Sequence, residues 1–508
     1  MSDTLPTLIQ SLLQSDAFPH PVNNRSVLET HISWVVLTGK YAYKIKKPIR
    51  LDFLDYSTLE RRRECCELEL RLNRRLAAEL YLDVVPICGS RDHPQVSGKG
   101  PVIEYAVRMR EFPQESLASR MIERGALTRE RIDELATTVS AFHESEPPAD
   151  LSSGYGTPDV IRREAFENFD ELERLIENED LRKSIAGLRG WTAAEYERCA
   201  ERFSERRQAG RVRECHGDMH LGNMAVYDDR LVVFDGIEFN DEFRWMDVIS
   251  EASFVVMDLM HRGRDDLAHR FLDAYLSGAG DYNGLSVCRF YVVYRALVRA
   301  KVTAIKRSQD SSGEAPSQDP DAELCAYIGL AEAKSARESP RLSITHGPSG
   351  SGKTTGTQPL LEARGAVRVR SDVERKRLAG LPASADASAA PGSGIYTEEW
   401  TRRTYTRLAE CAEQILAAGF PAIVDATFLD AAERNRFRQL ADRFRAPFEI
   451  LDFAVDEGVL RDRLAERRRV GHDSSDADDA VLAAQLQSQD PLMDEERPFV
   501  HRVTPQGV

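Results

Sequence analysis

The run Gly347-Pro348-Ser349-Gly350-Ser351-Gly352-Lys353-Thr354 decides the fold of the C-terminal third of the chain. It follows the apolar segment 342–345, which predicts a β-strand, and it precedes a helical pattern. Glycines let the backbone curl, so that successive N–H groups and the helix N-terminus can surround a phosphate. In this pattern the lysine reaches the β- and γ-phosphates and the threonine hydroxyl binds Mg²⁺. We predict that ATP is bound here by Gly347, Ser349, Gly350, Ser351, Gly352, Lys353, Thr354 and Thr355.

Two aspartates follow strand-like runs of the same region. Asp372 comes just after the run 367–370, where its carboxylate can accept a proton from a hydroxyl that enters the site. Asp425 ends the buried run 422–424, and we expect it to bind Mg²⁺ together with Thr354. The alternative for each aspartate is a helix N-cap, because Asp is common where a strand turns into a helix.

Arginines are concentrated on one helical segment further along the chain. A run of charges of this kind is usually a solvated face. Arginines on a lid over the nucleotide would instead neutralise charge that develops during phosphoryl transfer. We predict Arg463 as a catalytic residue of this kind, beside Asp372 and Lys353; the segment holds Arg461, Arg463, Arg467, Arg468 and Arg469.

Residues 341–508 alternate strand-like runs with helical patterns, which predicts an α/β domain with a parallel sheet. The segment 341–500 resembles the small P-loop kinases of the gluconate kinase, zeta-toxin and polynucleotide 5′-kinase type, which are often labelled AAA-family ATPases. The resemblance is carried by the phosphate loop and by Ser371–Arg375, Val424–Phe428, Arg434 and the stretch from Arg463 to Ala477. It implies a phosphate donor but does not identify the acceptor.

A second motif reads His216-Gly217-Asp218-Met219-His220-Leu221-Gly222-Asn223, and the apolar run 231–234 and Asp235 follow it. Asp218 can receive the proton of an acceptor hydroxyl, so we predict it as a catalytic residue. The Asn223 amide and the Asp235 carboxylate, at the end of the run, can bind a metal ion. The alternative is a polar turn held by side-chain hydrogen bonds, with structural histidines.

This motif resembles the catalytic loop of the aminoglycoside phosphotransferase and choline kinase group, the bacterial relatives of protein kinases. The resemblance implies that Asp218 is catalytic, that Asn223 and Asp235 bind Mg²⁺, and that His216 supports the loop. It also implies that Lys44 holds the α- and β-phosphates of ATP. The sequence departs from protein kinases because it has no glycine-rich loop of the G-x-G-x-x-G type, so phosphate cover must come from the Thr38-Gly39 turn.

The lysine and its glutamate partner each leave alternatives open. Lys46 is two residues after Lys44 and shares its strand face, so it remains a candidate for the same role. Glu69 is followed by leucines three and seven residues on, which places it on the inward face of a helix. We predict Glu69 as the partner, while Glu64 and Glu67 could equally pair with neighbouring arginines.

At 508 residues the chain is too long for one hydrophobic core. We predict a bilobal, kinase-like α+β domain at 1–338 and the P-loop NTPase domain at 339–508. The first has an N-lobe of about 25–112 and a helical C-lobe of about 113–307. The stretch 308–321 is rich in Ser, Asp and Pro, which indicates a linker between the domains.

Composition excludes several classes of protein. With 42% hydrophobic and 30% charged residues the chain is globular rather than disordered or fibrous. The 68 basic and 83 acidic side chains give a net charge of −15, which disfavours a protein that coats nucleic acid. No segment has the ~18 apolar residues of a membrane span, and no signal peptide begins the sequence, so we expect a cytoplasmic protein without a membrane partner.

The order of the two motifs resembles that of the proteins described as bifunctional aminoglycoside phosphotransferase/ATP-binding proteins. This resemblance implies two MgATP sites that phosphorylate hydroxyls of small molecules. Two alternatives remain: a polynucleotide 5′-kinase that repairs nucleic acid, and one catalytic half joined to a nucleotide-binding regulatory half.

Overall fold

The protein is described by a computed structural model that covers residues 5–14, 16–51, 54–309, 320–337, 339–383, 385, 394–470 and 479–503. None of the helices in these ranges has the length and apolar character that crossing a bilayer requires. The chain forms two compact units, each built from separate stretches of sequence. The first unit comprises Met1–Arg131, Phe142–Thr157 and Arg207–Val255, and the second comprises Ile132–Ala141, Pro158–Arg206 and Val256–Val508.

The elements up to residue 261 alternate between an N-terminal sheet, long helices and short ladders. In chain order they are α1 (Thr7–Gln14), β1 (Ser26–Glu29), β2 (Ser33–Leu37), β3 (Tyr41–Lys46), β4 (Arg50–Leu51), β5 (Leu54–Asp55), α2 (Leu59–Ala77), β6 (Tyr81–Gly89), β7 (Pro94–Val96), β8 (Val102–Arg110), α3 (Ala118–Glu123), α4 (Arg129–Ser145), α5 (Pro158–Leu175), α6 (Glu179–Gln208), β9 (Val212–Glu214), β10 (Met224–Tyr227), β11 (Arg230–Val233), β12 (Trp245–Asp247) and α7 (Val248–His261).

The first unit is organised around an antiparallel sheet of order β1-β2-β3-β8-β6-β7. One face of this sheet buries an apolar cluster that includes Val36, Tyr43, Ile45 and Ile87, and α1 packs against it through Ile9. α2 begins at the N-cap Thr58, whose hydroxyl accepts the Arg61 N–H. This helix contacts β6 and β8.

The catalytic-loop motif lies among short ladders of this unit. We predicted a helical C-lobe over about 113–307, and four short strands interrupt the helices there. β10 pairs with β11, and β12 pairs with β9, both antiparallel. The strands are only three or four residues long, and this is why apolar periodicity did not separate them from the surrounding helices.

The remaining elements belong to the second unit. They are α8 (Asp265–Ala279), α9 (Leu285–Gln309), α10 (Pro320–Ser335), β13 (Leu342–His346), α11 (Lys353–Arg364), β14 (Val367–Arg370), α12 (Ser371–Leu378), α13 (Glu398–Ala417), β15 (Ala422–Asp425), α14 (Ala431–Arg443), β16 (Phe448–Asp452), α15 (Glu457–Val470), α16 (Asp479–Gln487) and β17 (Val500–Arg502). The helices α9 and α10 each extend two residues into the stretch 308–321, whose middle lies outside the described residues.

The five C-terminal strands form an all-parallel sheet of order β14-β15-β13-β16-β17. This is the predicted α/β fold with helices between parallel strands. The central strand β13 is buried throughout, because both faces of such a sheet are covered. Its carboxyl end runs directly into the phosphate loop, so residues after β13, β14 and β15 meet at one edge of the sheet.

Candidate active sites

In the first unit, Lys44 lies at the centre of an ion-pair network. It sits on β3, and its Nζ donates to Glu69 Oε1 of α2 at 2.8 Å and also pairs with Asp235. The Glu69 side chain is fully buried, and that of Lys44 is nearly so. Burial opposes ionisation of both groups, yet the two lysines beside Glu69 hold its pKa at about 2, and the carboxylates beside Lys44 hold the pKa of that lysine well above its usual value.

Lys46 faces the same way as Lys44 but occupies a different environment. Its Nζ donates to Glu69 Oε2 at 2.8 Å and pairs with Glu238, with the Tyr56 hydroxyl at 3.3 Å. The Lys46 side chain has no exposed surface. Glu69 is therefore shared by both lysines, but only Lys44 lines the cavity of this unit.

That cavity has a volume of about 270 Å³. Its walls are mainly apolar, and its lining includes Lys44, Gly222, Asn223 and Asp235 from the sequence motifs. We expect the segment 107–112 to hold the adenine ring, and its residues 109–112 also line the cavity. An apolar slot with a few charged groups is the usual form of a nucleotide site.

Asp218 and Asn223 are joined within the catalytic-loop motif. The Asn223 Nδ2 donates to Asp218 Oδ2 at 2.9 Å and to the Asp218 carbonyl at 3.0 Å. His220 Nε2 lies 3.4 Å from Asp218 Oδ2, while its Nδ1 accepts the Gly222 N–H. These contacts fix the Asp218 carboxylate, and they leave the Asn223 amide oxygen as an acceptor for a metal ion.

Glu251 of α7 holds the start of this motif. Its carboxylate accepts the backbone N–H groups of His216 at 3.1 Å and Gly217 at 2.6 Å, and the His143 ring of α4 at 2.9 Å. Burial opposes ionisation, but the hydrogen bond from His143 and the neighbouring donors lower the pKa of Glu251 to about 2. The His216 ring in turn contacts the Phe234 carbonyl at 2.9 Å. Sequence reasoning missed Glu251; a carboxylate in an apolar helix was the signal that could have found it.

Asp235 adopts a left-handed backbone conformation with φ of 64°. Such a conformation is strained for a residue other than glycine and is often found at functional sites. The backbone N–H groups of Asp235 and Gly236 donate to the Tyr81 hydroxyl at 3.1 Å and to Asn73 Oδ1 at 2.8 Å. Helix α2 and strand β6 thereby hold the strained turn that carries the Asp235 carboxylate.

The Thr38-Gly39 turn, from which we expected phosphate cover, is held by a side chain of the same cavity. Glu111 Oε2 accepts the N–H groups of Thr38 at 2.9 Å and Gly39 at 2.7 Å. These are the N–H groups that would face a phosphate. These two N–H groups can therefore bind a phosphate only if the Glu111 carboxylate releases them.

In the second unit, the phosphate loop lines a polar cavity of about 240 Å³ together with both predicted aspartates, Asp372 and Asp425. The Thr354 hydroxyl donates to Asp425 Oδ2 at 2.6 Å. Lys353 Nζ donates to the Gly347 carbonyl at 3.0 Å and the Pro348 carbonyl at 2.8 Å. A hydroxyl and a carboxylate in contact form a set of oxygen donors that suits Mg²⁺.

Asp372 is the second residue of α12, which directly follows β14. Burial raises the pKa of its carboxyl group, while Arg370 and Arg375 lower it and Asp425 raises it further. A carboxylate whose pKa is raised in this way is a stronger base than an exposed aspartate. Asp372 lines the cavity of the phosphate loop, and its role as proton acceptor stays a prediction.

Two further side chains reach the phosphate loop. The Arg463 guanidinium of α15 donates to the Ser351 carbonyl at 3.4 Å. Gln485 of α16 accepts the Ser349 N–H at 2.9 Å and donates to the Ser349 hydroxyl at 3.2 Å. Sequence reasoning missed Gln485, which no motif marks. The other arginines of the lid prediction, apart from Arg461, have side chains that lie outside the described residues.

Two known protein families match different parts of the chain, and relatives match most of its length. The family described as "Phosphotransferase enzyme family" matches residues 55–291, and the family described as "AAA domain" matches residues 342–492. Uncharacterized proteins from Mycobacterium bovis and Mycobacterium tuberculosis are each 28% identical to this chain over 480 residues, which is 92% of this chain and 91% of each relative.

Solved structures resemble parts of the chain. A choline/ethanolamine kinase family protein from Mesorhizobium loti has 11% identity and a TM-score of 0.37, covering 64% of this chain and 92% of its own. An amicoumacin kinase in complex with AMP-PNP and Ca²⁺ has 13% identity and a TM-score of 0.40, covering 66% and 94%. A gluconokinase from Sinorhizobium meliloti has 22% identity and a TM-score of 0.24, covering 33% and 85%. By the two family matches, the chain is a kinase that joins a segment matching the phosphotransferase enzyme family to a segment matching the AAA domain.

Proposed function

We propose that the protein is a two-site phosphotransferase that uses ATP at both sites and phosphorylates hydroxyl groups of small molecules. One observation carries the proposal: two separate cavities are each lined by a lysine and by an aspartate at the end of a strand. Lys44 and Asp235 line the first, and Lys353 and Asp425 line the second. Positive charge and carboxylate ligands around one cavity are what transfer of a phosphoryl group needs.

At the first site, Asp218 is the group that receives a proton. The acceptor hydroxyl oxygen bonds to the γ-phosphorus as the bond to the bridging oxygen of ADP breaks, and the hydroxyl proton passes to the Asp218 carboxylate. Asn223 keeps that carboxylate in place through its 2.9 Å hydrogen bond. Lys44 holds the α- and β-phosphates, and Glu69 keeps the lysine charged and oriented.

At the second site, Asp372 takes the same role for its own acceptor. The backbone of the phosphate loop and Lys353 bind the β- and γ-phosphates, and Arg463 lies beside the loop to neutralise charge on the transferred group. Loading of this site requires Lys353 to exchange the two carbonyls that it now contacts for phosphate oxygens.

The residues at both sites fit Mg²⁺, since each site supplies hard oxygen donors. Asn223 and Asp235 would hold it at the first site, and Thr354 and Asp425 at the second. Bound Mg²⁺ would neutralise charge on the phosphates.

The stoichiometry of MgATP binding to the full chain tests this proposal. We expect two MgATP per chain, one in Lys44→Met, one in Lys353→Met and none in the double variant. Lys183→Met, which removes a lysine whose side chain is 75% exposed, is the matched control and should still bind two. The proposal is contradicted if the wild-type chain binds only one MgATP and one of the two lysine substitutions abolishes that binding.

A further inference from the structure

Helix α8 lies within the part of the chain that matches the phosphotransferase family. One face of this helix nevertheless contacts the segment that contains the phosphate loop. His269, Arg270 and Asp273 of this face contact α11 and β14. One helical turn separates His269 from Asp273, so these side chains share a side of α8. Near the end of the helix, the Ser277 and Gly278 carbonyls accept from Arg377 of α12.

Asp273 binds the edge strand of the parallel sheet. Its Oδ1 accepts the backbone N–H of Arg368 at 2.6 Å, and its Oδ2 lies 3.7 Å from the Arg368 guanidinium. β14 is the outermost strand of its sheet, so this N–H points away from β15 and needs a partner from elsewhere. The strand leads directly into Asp372, the proposed proton acceptor of the second site.

Arg368 connects Asp273 to the start of α11, which follows the phosphate loop. Its Nη1 donates to the Thr354 carbonyl at 2.7 Å and to the Thr357 hydroxyl at 3.1 Å, and its Nη2 donates to Gln358 Oε1 at 2.9 Å. These acceptors belong to the first turns of α11. Thr354 is also the residue whose hydroxyl contacts Asp425.

Arg270 makes a second connection to α11. Its guanidinium binds both carboxylate oxygens of Asp133 in α4, at 2.7 and 2.6 Å, and Glu362 Oε1 of α11 at 2.8 Å. Gln358 Nε2 donates to the same Glu362 oxygen at 3.2 Å. A continuous polar network therefore runs from α4 and α8 through α11 to Thr354.

We propose that Asp273 and Arg368 are positioning residues of the second ATP site, and that α8 thereby makes the Mg²⁺-binding geometry at Thr354 depend on the phosphotransferase-family segment. This inference rests on the proposed function, because it assumes that the phosphate loop binds MgATP. A P-loop domain that carries its own complete site would not need a buried acceptor from a preceding segment. Here the side chains of Asp273 and Arg368 are 8% and 9% exposed, so neither can replace its partner with bulk water.

The test uses the full chain in a Lys44→Met background, in which MgATP binding reports on the second site alone. Asp273→Leu removes the acceptor for the Arg368 N–H, whereas Asp273→Asn keeps an acceptor oxygen. Asp265→Asn is the matched control, since Asp265 lies on the same helix with a side chain that is 58% exposed. Arg368→Lys keeps the buried charge but cannot reach all three acceptors on α11.

We expect Asp273→Leu to weaken MgATP binding about tenfold, Arg368→Lys about threefold, and both Asn variants by less than about twofold. A Mg²⁺ titration at fixed ATP should show that Asp273→Leu and Arg368→Lys weaken the binding of ATP alone less than they weaken the binding of MgATP. A general loss of packing would weaken both equally. If Asp273→Leu does not fold, Arg368→Lys decides the question.

Three results would overturn the inference. Unchanged MgATP affinity in a folded Asp273→Leu or Arg368→Lys variant refutes it while the proposed function stands, and so does equal weakening with and without Mg²⁺. Absence of MgATP binding in the Lys44→Met parent refutes the proposed function and this inference together.

Discussion

Glu251 offers the sharpest test of how the motif at 216–223 is held. Its carboxylate accepts two backbone N–H groups and the His143 ring, and its pKa lies at about 2 instead of 4.5. That difference corresponds to about 3 kcal/mol of stability at neutral pH. Glu251→Gln keeps the shape of the side chain but removes the charge, so we expect it to lower the free energy of unfolding by about 2–4 kcal/mol at pH 7.

The sign of the pH dependence follows from the lowered pKa. The contribution of Glu251 is fully present above its ordinary pKa of 4.5 and is lost as the pH falls toward about 2. Urea denaturation of the two proteins at several pH values should therefore show a difference that shrinks below pH ~4.5. Glu144→Gln, at a side chain that is 61% exposed, is the control and should change stability by less than about 0.5 kcal/mol. A difference that is absent, or that does not change with pH, refutes this account of the loop.

Three further predictions concern the two sites. Asp372 must be ionised to accept a proton, and burial raises its pKa. Activity at the second site should therefore rise with pH above the ordinary titration range of an aspartate. Asp372→Asn should remove this rise from the pH–rate profile and lower the rate by about 10²–10⁴-fold. Lys44→Met should abolish MgATP binding at the first site, measured by calorimetry, while the chain stays folded. Lys46→Met leaves two buried carboxylates without one cation, so urea denaturation should show a loss of about 3–5 kcal/mol in unfolding free energy.

Contiguous motifs made much of both sites predictable. The eight residues from Gly347 to Thr354 contain the whole phosphate loop, because its chemistry depends on adjacent backbone N–H groups. Helical periodicity was also sufficient to favour Glu69 over its neighbours, since only an inward-facing glutamate can meet a buried lysine. The structure places Glu69 2.8 Å from Lys44.

Contacts between distant parts of the chain were not predictable. Lys44 and Lys46 look equivalent in sequence because they share a strand face. Asp235 pairs with Lys44 and Glu238 pairs with Lys46, and both carboxylates come almost two hundred residues later in the chain. Asp273 and Arg368 likewise belong to different sequence patterns, and nothing near either residue indicates the other. A single sequence without its fold carries no signal for such pairs.

The most direct measurement is transfer of labelled γ-phosphate from ATP to a mixture of hydroxyl-bearing metabolites by the full chain. The comparison includes Asp218→Asn, which disables the first site, Lys353→Ala, which disables the second, and the double variant. We predict labelled phosphate esters with the wild-type chain. Each single variant should lose part of this product, and the double variant should form none. Full product formation by either single variant would contradict a two-site phosphotransferase.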